Sequence, residues 1–362
     1  MNEWFNTSPY ALIDGAIASQ PALSRETQLL KNKVLDKNTS LLEKLEAYDE
    51  IINIEVGDTS LSRARNLERE TDVKQIYLKF EGGNPTGTQK DRIAFAQCLD
   101  ALRREFDTVT AATCGNYGVS LALASNLAGL RCIICIPEEY QTKRLQEIQD
   151  LGAELLRTKG SYEDSVDFSK KIAEEKQYYD ANPGGSNTHL QLVAYSEIAN
   201  EIYDILRDAP RVLAAPVSNG TLLAGVYRGF VTLYKRGKTS RIPRIVAGSS
   251  FRKNPIIVSY KSGFNSYQDI DKTLIRETPV NEPLINWHSF DGEEALNAIR
   301  QTDGWAEDIS DMKLIRTSRH LMEKEGLNVL PASTAGLIAF LQKASAEKFE
   351  NDRYVAILTG RK

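Results

Sequence analysis

Residues 80–92 read FEGGNPTGTQKDR, a loop of glycine, proline, asparagine and threonine that leads into a lysine. Apolar residues precede this loop and an amphipathic segment follows it, which predicts a strand, a turn and a helix that starts near Lys90. Several backbone N–H groups converge at such a helix start. The positive helix end and partial burial both lower the pKa of a lysine and make its neutral amine available as a nucleophile. A lysine in a first helical turn is usually a surface residue, but the long and specific sequence around Lys90 makes it a candidate catalytic residue.

From about residue 76 onward, the chain alternates short apolar runs with longer amphipathic segments. The apolar runs, rich in β-branched residues as suits strands buried on both faces, lie at residues 76–81, 108–112, 131–136, 154–158, 211–216, 244–248 and 354–358. The amphipathic segments predict helices at residues 91–105, 118–128, 142–151, 161–176, 192–207, 222–235, 312–325 and 333–347. Thr142 and Ser333 are the candidate N-cap residues. Repeated βα units of this kind indicate an α/β fold with mostly parallel sheets.

The length of 362 residues exceeds what one hydrophobic core normally supports, so two domains are expected. A cluster of turn-forming residues at 180–188 predicts the passage from a smaller lobe back into a larger one. We therefore expect a large domain of residues 1–87 plus 184–362 and a smaller, mobile domain of residues 88–183. The first 50 or so residues predict short surface helices, and residues 259–310 read as an irregular insertion or lid.

Composition narrows the class of partner. The net charge is -4 and no segment concentrates Lys or Arg, so the sequence favours a small-molecule partner over nucleic acid. It contains neither a secretory signal nor an apolar run long enough to cross a membrane. The four cysteines, at positions 98, 114, 132 and 135, do not form a disulfide or metal-binding pattern. A cytoplasmic protein without a metal is expected.

The segment EGGNPTGTQKDR, from Glu81 to Arg92, resembles the E-x-x-N-P-T-G-S-x-K-D-R motif of the fold type II pyridoxal phosphate enzymes, the tryptophan synthase β-like group. Within this group it is most similar to the threonine synthases. The family's lysine carries pyridoxal 5'-phosphate as a Schiff base, so the resemblance implies that Lys90 binds this cofactor. It also implies a two-domain fold, each domain an open, mostly parallel sheet flanked by helices, and a homodimer.

A second loop, at residues 112–118, resembles the family's S-x-G-N segment. In the family, backbone N–H groups of this loop bind the carboxylate of the substrate, and the asparagine hydrogen-bonds the 3'-hydroxyl of the cofactor. The resemblance therefore implies that Asn116 contacts the cofactor. It implies a substrate loop composed of Thr113, Cys114, Gly115 and Tyr117.

Two further loops complete the resemblance. Ser218, Asn219, Gly220 and Thr221 stand between an apolar run and a helix start, where the family binds the phosphate of the cofactor. This loop contains fewer glycines than is usual in the family, and hydroxyl groups can replace some of the N–H donors. Near the C-terminus, Thr359 in an L-T-G segment matches the family residue whose hydroxyl faces the pyridine nitrogen. A neutral partner there makes the ring a weaker electron sink, which favours elimination and replacement over transamination.

The reaction implied by the resemblance is elimination or replacement at the β or γ carbon of an activated amino acid, such as O-phosphohomoserine or a related homoserine or serine derivative. Asn187 and His189 are candidate substrate contacts, but the chain lacks the arginine that threonine synthases carry nearby, and Leu330 replaces a usual glutamate. Three alternatives stay open: a threonine or serine dehydratase, a β-replacement enzyme of the cysteine or cysteate synthase kind, and a non-catalytic partner subunit that binds the cofactor.

Overall fold

The structure is a computed structural model that describes residues 23–113, 115–139 and 144–362. It confirms the predicted α/β class, because two mostly parallel sheets are each flanked by helices. Thr142, the predicted N-cap residue, lies outside the described residues. No helix in the described ranges is both long and apolar enough to cross a membrane.

The strands follow the predicted order along the chain, with three additions. In chain order they are β1 (Leu61–Arg63), β2 (Ile76–Phe80), β3 (Thr108–Ala112), β4 (Arg131–Pro137), β5 (Glu154–Thr158), β6 (Tyr179–Asp180), β7 (Val212–Pro216), β8 (Arg244–Ser250), β9 (Trp305–Ile309) and β10 (Tyr354–Leu358). The short strands β1 and β6 and the strand β9 were not predicted.

Helices connect and cover these strands. In chain order they are α1 (Arg25–Leu35), α2 (Leu41–Glu55), α3 (Arg65–Thr71), α4 (Lys90–Arg103), α5 (Asn116–Ala128), α6 (Leu145–Asp150), α7 (Tyr162–Lys176), α8 (Thr188–Leu206), α9 (Thr221–Lys235), α10 (Pro255–Lys261), α11 (Gly292–Gln301), α12 (Asp311–Glu325) and α13 (Ala335–Ala346). Short 3-10 helices lie at Glu81–Gly83, Lys272–Leu274, Glu282–Leu284 and Pro331–Thr334.

The strands form two separate sheets. The first has six strands in the order β1-β2-β10-β7-β8-β9, all parallel except β1, which pairs antiparallel with β2. The second has four parallel strands in the order β5-β4-β3-β6. Residues 61–80 and 212–358 form the first sheet, and residues 108–180 form the second. Because the carboxyl ends of parallel strands share one edge of a sheet, loops distant in sequence meet there.

The prediction for residues 259–310 was incomplete. This segment contains α11, whose buried residues Ala295, Leu296, Ala298 and Ile299 recur at helical spacing, and the strand β9. Strand β9 was not predicted because it lies at the edge of the first sheet. An edge strand can carry polar residues such as Glu307 and Asp308, so it lacks the continuous apolar run of a central strand.

The predicted N-cap role of Ser333 was wrong. Pro331 starts a 3-10 turn, and α13 begins only at Ala335, with Thr334 as its N-cap residue. Ser333 is buried within that turn, and its hydroxyl lies 3.1 Å from the hydroxyl of Thr359. Because Pro331 opens a separate 3-10 turn that includes Ser333, the start of α13 lies two residues later than predicted.

Candidate active site

A cavity of about 910 Å³ lies between the two sheets. Its walls include residues 88–90 before and at the start of α4, residues 115–117 at the start of α5, residues 216–223 around the start of α9, and Thr359 after β10. Each of these segments follows a parallel strand. The sequence-predicted loops therefore converge, although they lie far apart in the chain, from residue 88 to residue 359.

Lys90 is the first residue of α4 and lines the cavity with its half-buried side chain. The backbone before it is anchored, because the N–H of Gln89 donates to the carbonyl of Thr359 at 3.0 Å. The Lys90 ammonium lies 5.8 Å from the centre of the Tyr117 ring. Burial lowers the pKa of Lys90 to about 8, while the negative charge of Asp291 acts in the opposite direction. A substantial fraction of this amine is neutral near physiological pH.

Buried polar contacts support the loop that contains Lys90. Asp91 accepts hydrogen bonds from the N–H and the hydroxyl of Thr86, at 2.8 and 2.7 Å. The Arg92 guanidinium donates to Glu81 at 2.6 and 3.0 Å and to Glu201 at 2.6 and 2.9 Å. Arg92 thereby ties together the two ends of the sequence motif, residues 81 and 92, and joins them to α8.

The second loop lines the cavity with residues at the start of α5, including the amide of Asn116. Thr113, Gly115, Asn116 and Tyr117 all line it, whereas Cys114 lies outside the described residues. The Asn116 side-chain oxygen accepts a hydrogen bond of 2.5 Å from Arg144, so the amide nitrogen is the end left to face a ligand. The Tyr117 hydroxyl donates to the carbonyl of Ala181 at 2.7 Å. The Tyr117 side chain can therefore contact a ligand through its ring, while its hydroxyl is held by Ala181.

The third loop, between β7 and α9, is tightly packed. Ser218, Asn219, Gly220 and Thr221 line the cavity at the N-terminus of α9. Gly220 has a φ of +95°, and a Cβ atom there would lie 2.6 Å from the carbonyl oxygen of Asp291. Its backbone therefore approaches the neighbouring chain as only glycine allows. The N–H groups of a helix start form an anion-binding cradle.

A pair of hydroxyl groups closes the cavity near the C-terminus. Thr359 and Ser333 both line it, and their hydroxyl oxygens lie 3.1 Å apart. The Ser333 hydroxyl is also 3.2 Å from the carbonyl of Gly360. Both groups are neutral, so this wall can offer a hydrogen bond to a ring nitrogen without a negative charge.

Asn187 and His189 do not reach the cavity. The amide of Asn187 donates to the carbonyl of Asp180 at 2.7 Å and accepts from Arg104 at 3.0 Å, and His189 is exposed. Neither residue is among those that line the cavity. The segment before α8 instead contributes Pro183, and α8 contributes the buried Gln191.

Several lining residues were missed by the sequence analysis. They come mainly from residues 272–287, where the Lys272 ammonium lies 4.1 Å from the centre of the Trp287 ring. The backbone N–H of Trp287 is 3.4 Å from a carboxylate oxygen of Glu163, which comes from α7 beside the second sheet. Arg144 also lines the cavity. No local sequence signal marks these contacts, because they depend on how the two sheets are placed.

These groups fit pyridoxal 5'-phosphate. Lys90 offers an amine of lowered pKa for its aldehyde, the tightly packed loop at the start of α9 offers N–H donors for its phosphate, and Thr359 offers a hydroxyl for its ring nitrogen. The Asn116 amide, held by Arg144, is oriented to donate to a ring substituent. The cavity is also large enough to hold an amino acid beside such a cofactor.

Comparisons with known proteins agree with this chemistry. The family model described as "Pyridoxal-phosphate dependent enzyme" matches residues 52–360. The threonine synthase of Methanocaldococcus jannaschii is 30% identical over 332 residues, covering 88% of this chain and 78% of the relative. The threonine synthase of Halalkalibacterium halodurans is 30% identical over 313 residues, covering 86% of this chain and 83% of the relative.

Solved structures show the same fold. A maize serine racemase superimposes with a TM-score of 0.70 at 18% identity, covering 88% of this chain and 92% of its own. A T.th. threonine deaminase also has a TM-score of 0.70, at 20% identity, covering 88% of this chain and 97% of its own. The match to the family model spans most of the chain and includes every loop of the cavity. The chain belongs to the pyridoxal-phosphate dependent enzymes.

Proposed function

We propose that this protein is a threonine synthase-like lyase that uses pyridoxal 5'-phosphate to eliminate or replace a substituent at the β or γ carbon of an activated amino acid. The observation that carries the proposal is the position of Lys90. Its amine has a lowered pKa and lies in one cavity with a helix start suited to a phosphate. The curated threonine synthases that resemble the chain over most of its length support the reaction class.

The proposed cofactor contacts come from both sheets. Lys90 would hold the cofactor covalently, and residues 218–221 would bind its phosphate. Asn116 and Thr359 would contact the ring at its hydroxyl and its nitrogen. When bound, the cofactor withdraws electrons from the Cα atom of the substrate. A neutral hydroxyl at Thr359 would keep this withdrawal moderate.

The remaining groups would act on the amino acid. Backbone N–H groups of residues 116 and 117, at the start of α5, would bind its carboxylate, and the ring of Tyr117 would pack against it. The Lys90 amine would also act as the general base that takes up the Cα proton of the substrate. Asn187 and His189 are left out of this proposal because they do not line the cavity.

We also propose two domains, residues 1–87 plus 184–362 and residues 88–183, a homodimeric assembly and a cytoplasmic location. Two sheets built from separate parts of the chain support the domain division. The homodimer rests on the family resemblance. The cytoplasmic location rests on the composition and on the use of cysteine, since Cys98, Cys132 and Cys135 are buried free thiols.

The test is an absorbance spectrum of the purified protein, recorded before and after borohydride reduction and during titration with candidate substrates. We expect an absorbance band from the bound cofactor. Borohydride should then attach the cofactor permanently to Lys90, which is detected as a mass increase on the peptide containing that residue. Lys90→Ala should abolish this mass increase. Lys272→Ala, which removes the other described lysine lining the cavity, should retain it.

The substrates separate the proposal from its alternatives. A spectral change with O-phosphohomoserine and release of phosphate would support the threonine synthase-like reaction. Release of a 2-oxo acid and ammonia from free serine or threonine would indicate a dehydratase, and turnover of O-phosphoserine with an added nucleophile would indicate β-replacement. A protein that binds the cofactor and responds to none of these compounds would fit the non-catalytic subunit instead. Absence of any bound cofactor would contradict the proposal.

A further inference from the structure

A buried carboxylate, Asp291, lies against the loop that starts α9. Its N–H donates to the carbonyl of Asn219 at 2.9 Å, and its carbonyl oxygen faces Gly220 so closely that a Cβ atom would not fit. Its side chain accepts a hydrogen bond from the hydroxyl of Thr221. Asp291 is 7% exposed. It therefore contacts three consecutive residues of the loop proposed to bind the cofactor phosphate.

This arrangement uses the hydroxyl proton of Thr221. A threonine hydroxyl has one proton to donate, and an ionised carboxylate has none. While Thr221 donates to ionised Asp291, its hydroxyl presents only lone pairs to the cavity. A phosphate dianion also accepts and does not donate, so it would meet those lone pairs and a second negative charge behind them.

The charged and titratable groups around Asp291 come from four helices. Lys90 on α4 and Arg228 on α9 attract its negative charge, and Glu294 on α11 repels it. Arg228 is itself paired with Glu294 at 2.6 Å. Tyr195 on α8 is fully buried and feels the charge of Asp291. Among the described residues no cation forms an ion pair with Asp291 within 4 Å, so its charge is not neutralised by a direct contact.

We propose that Asp291 is a proton-binding residue of the cofactor-phosphate site, which takes up one proton when the phosphate binds. This inference rests on the function proposed above. The protonated carboxyl donates its O–H to the oxygen of Thr221, and Thr221 then donates its own proton to the phosphate. The proton comes from the solvent, and no other bond forms or breaks. Asp291 and Thr221 thus become a two-step donor relay for the phosphate.

Burial makes the proton uptake less costly, because it raises the pKa of Asp291 above its ordinary value. A neighbouring dianion would raise this pKa further. Since a protonated group favours binding, the affinity for the phosphate should fall as the pH rises through the pKa of Asp291 in the free protein. The limiting slope for one linked proton is about tenfold in affinity per pH unit.

The test is isothermal titration calorimetry with 4-deoxypyridoxine 5'-phosphate. This compound has the ring and phosphate of the cofactor but no aldehyde, so it does not react with Lys90. Titrations in buffers with different ionisation enthalpies give the number of protons taken up. We expect Asp291→Asn to lose up to one proton of uptake relative to the unsubstituted protein. The side-chain amide at position 291 of this variant can donate to Thr221 at every pH. The ratio of the variant's affinity for the compound to that of the unsubstituted protein should therefore increase by up to about tenfold for each unit rise in pH.

Glu294→Gln is the matched control, because it removes a neighbouring carboxylate that is partly exposed and does not contact Thr221. It should retain the proton uptake. If Asp291→Asn does not fold, Asp291→Ala removes the same proton site. An unchanged proton uptake in the folded Asp291 variant would overturn the inference and leave the proposed function intact. If neither this compound nor pyridoxal phosphate binds to the unsubstituted protein, both proposals fail.

Discussion

At the scale of a single residue, the lowered pKa of Lys90 determines how readily it attacks an aldehyde. With a pKa of about 8, roughly one tenth of the amine is neutral at pH 7, against about one part in three thousand for an ordinary lysine. We therefore expect the rate constant for cofactor attachment to rise with pH and to level off above pH 8. Stopped-flow absorbance after mixing cofactor-free protein with pyridoxal phosphate measures it. A rate that keeps rising tenfold per pH unit up to pH 10 would contradict this assignment.

Arg92 supports the same loop through buried charges, and its removal should be costly. Arg92→Ala leaves the carboxylates of Glu81 and Glu201 without their shared partner. We expect a loss of about 3–5 kcal/mol in the free energy of unfolding, measured by urea denaturation. Arg131→Ala is the control, because its pair with Glu154 is exposed to solvent and should contribute little to stability. Equal losses in the two variants would show that Arg92 does not have this structural role.

At the scale of an element, helix α9 is flanked by two glycines in different surroundings, Gly220 before it and Gly237 after it. A Cβ atom added at Gly220, which has a φ of +95°, would lie 2.6 Å from the Asp291 carbonyl oxygen. A Cβ atom added at Gly237, which has a φ of +67°, would meet no atom of a non-neighbouring described residue within 4 Å. Gly220→Ala should therefore cost about 2–5 kcal/mol of stability and weaken cofactor binding. Gly237→Ala should cost about 1 kcal/mol, from the backbone conformation alone, and leave binding unchanged. Thermal unfolding and cofactor titration of both variants test this.

Strand-loop-helix units were predictable from the sequence because their signals are local. The unit from β2 to α4 combines an apolar run, a Gly/Pro loop and a helix start within residues 76–103, and the structure has all three. Strand β9 was not predictable in this way, since its polar edge residues hide the strand pattern. The start of α13 was misplaced because Pro331 produces a 3-10 turn that resembles a helix start in sequence.

The cavity was predictable only in part, because only its local sequence signals could be recognised. Each loop that resembles a family motif lines it, because the motif and the carboxyl end of a strand lie together in the sequence. Contacts between distant segments carried no signal. Arg144 on Asn116 and Asp291 on Thr221 join residues 28 and 70 positions apart, and their pairing depends on the packing of separate elements.

At the scale of the whole molecule, the cavity has walls from both sheets, so a ligand there must connect them. Asn116 starts helix α5, which follows strand β3 of the second sheet. Residues 218–221 and Thr359 instead follow strands of the first sheet. Binding energy gained across the cavity therefore stabilises the placement of one sheet against the other. Without a ligand, described contacts such as that between Glu163 and Trp287 link the two walls.

Cofactor binding should therefore protect both sheets from hydrogen exchange, and Asn116 should carry that protection to the second sheet. In Asn116→Ala, the cofactor keeps its contacts with Lys90 and with the loop at residues 218–221. We therefore expect protection from exchange around β7 and α9 to persist. Protection around β3 and α5 should fall, because the Asn116 amide is the side-chain contact proposed from that side. Losing one hydrogen bond of about 1 kcal/mol would speed local exchange roughly fivefold.

Asn126→Ala is the matched control, with the same substitution on the same helix but outside the cavity. Asn126 donates to the carbonyl of Leu151 and accepts from Lys31. Losing these two contacts should change local stability by the same amount in cofactor-loaded and cofactor-free protein. The difference in exchange between cofactor-loaded and cofactor-free protein should therefore match that of the unsubstituted chain. If Asn116→Ala and Asn126→Ala show the same cofactor-dependent protection, Asn116 does not link the cofactor to the second sheet. The connection would then depend on backbone groups at the start of α5 alone.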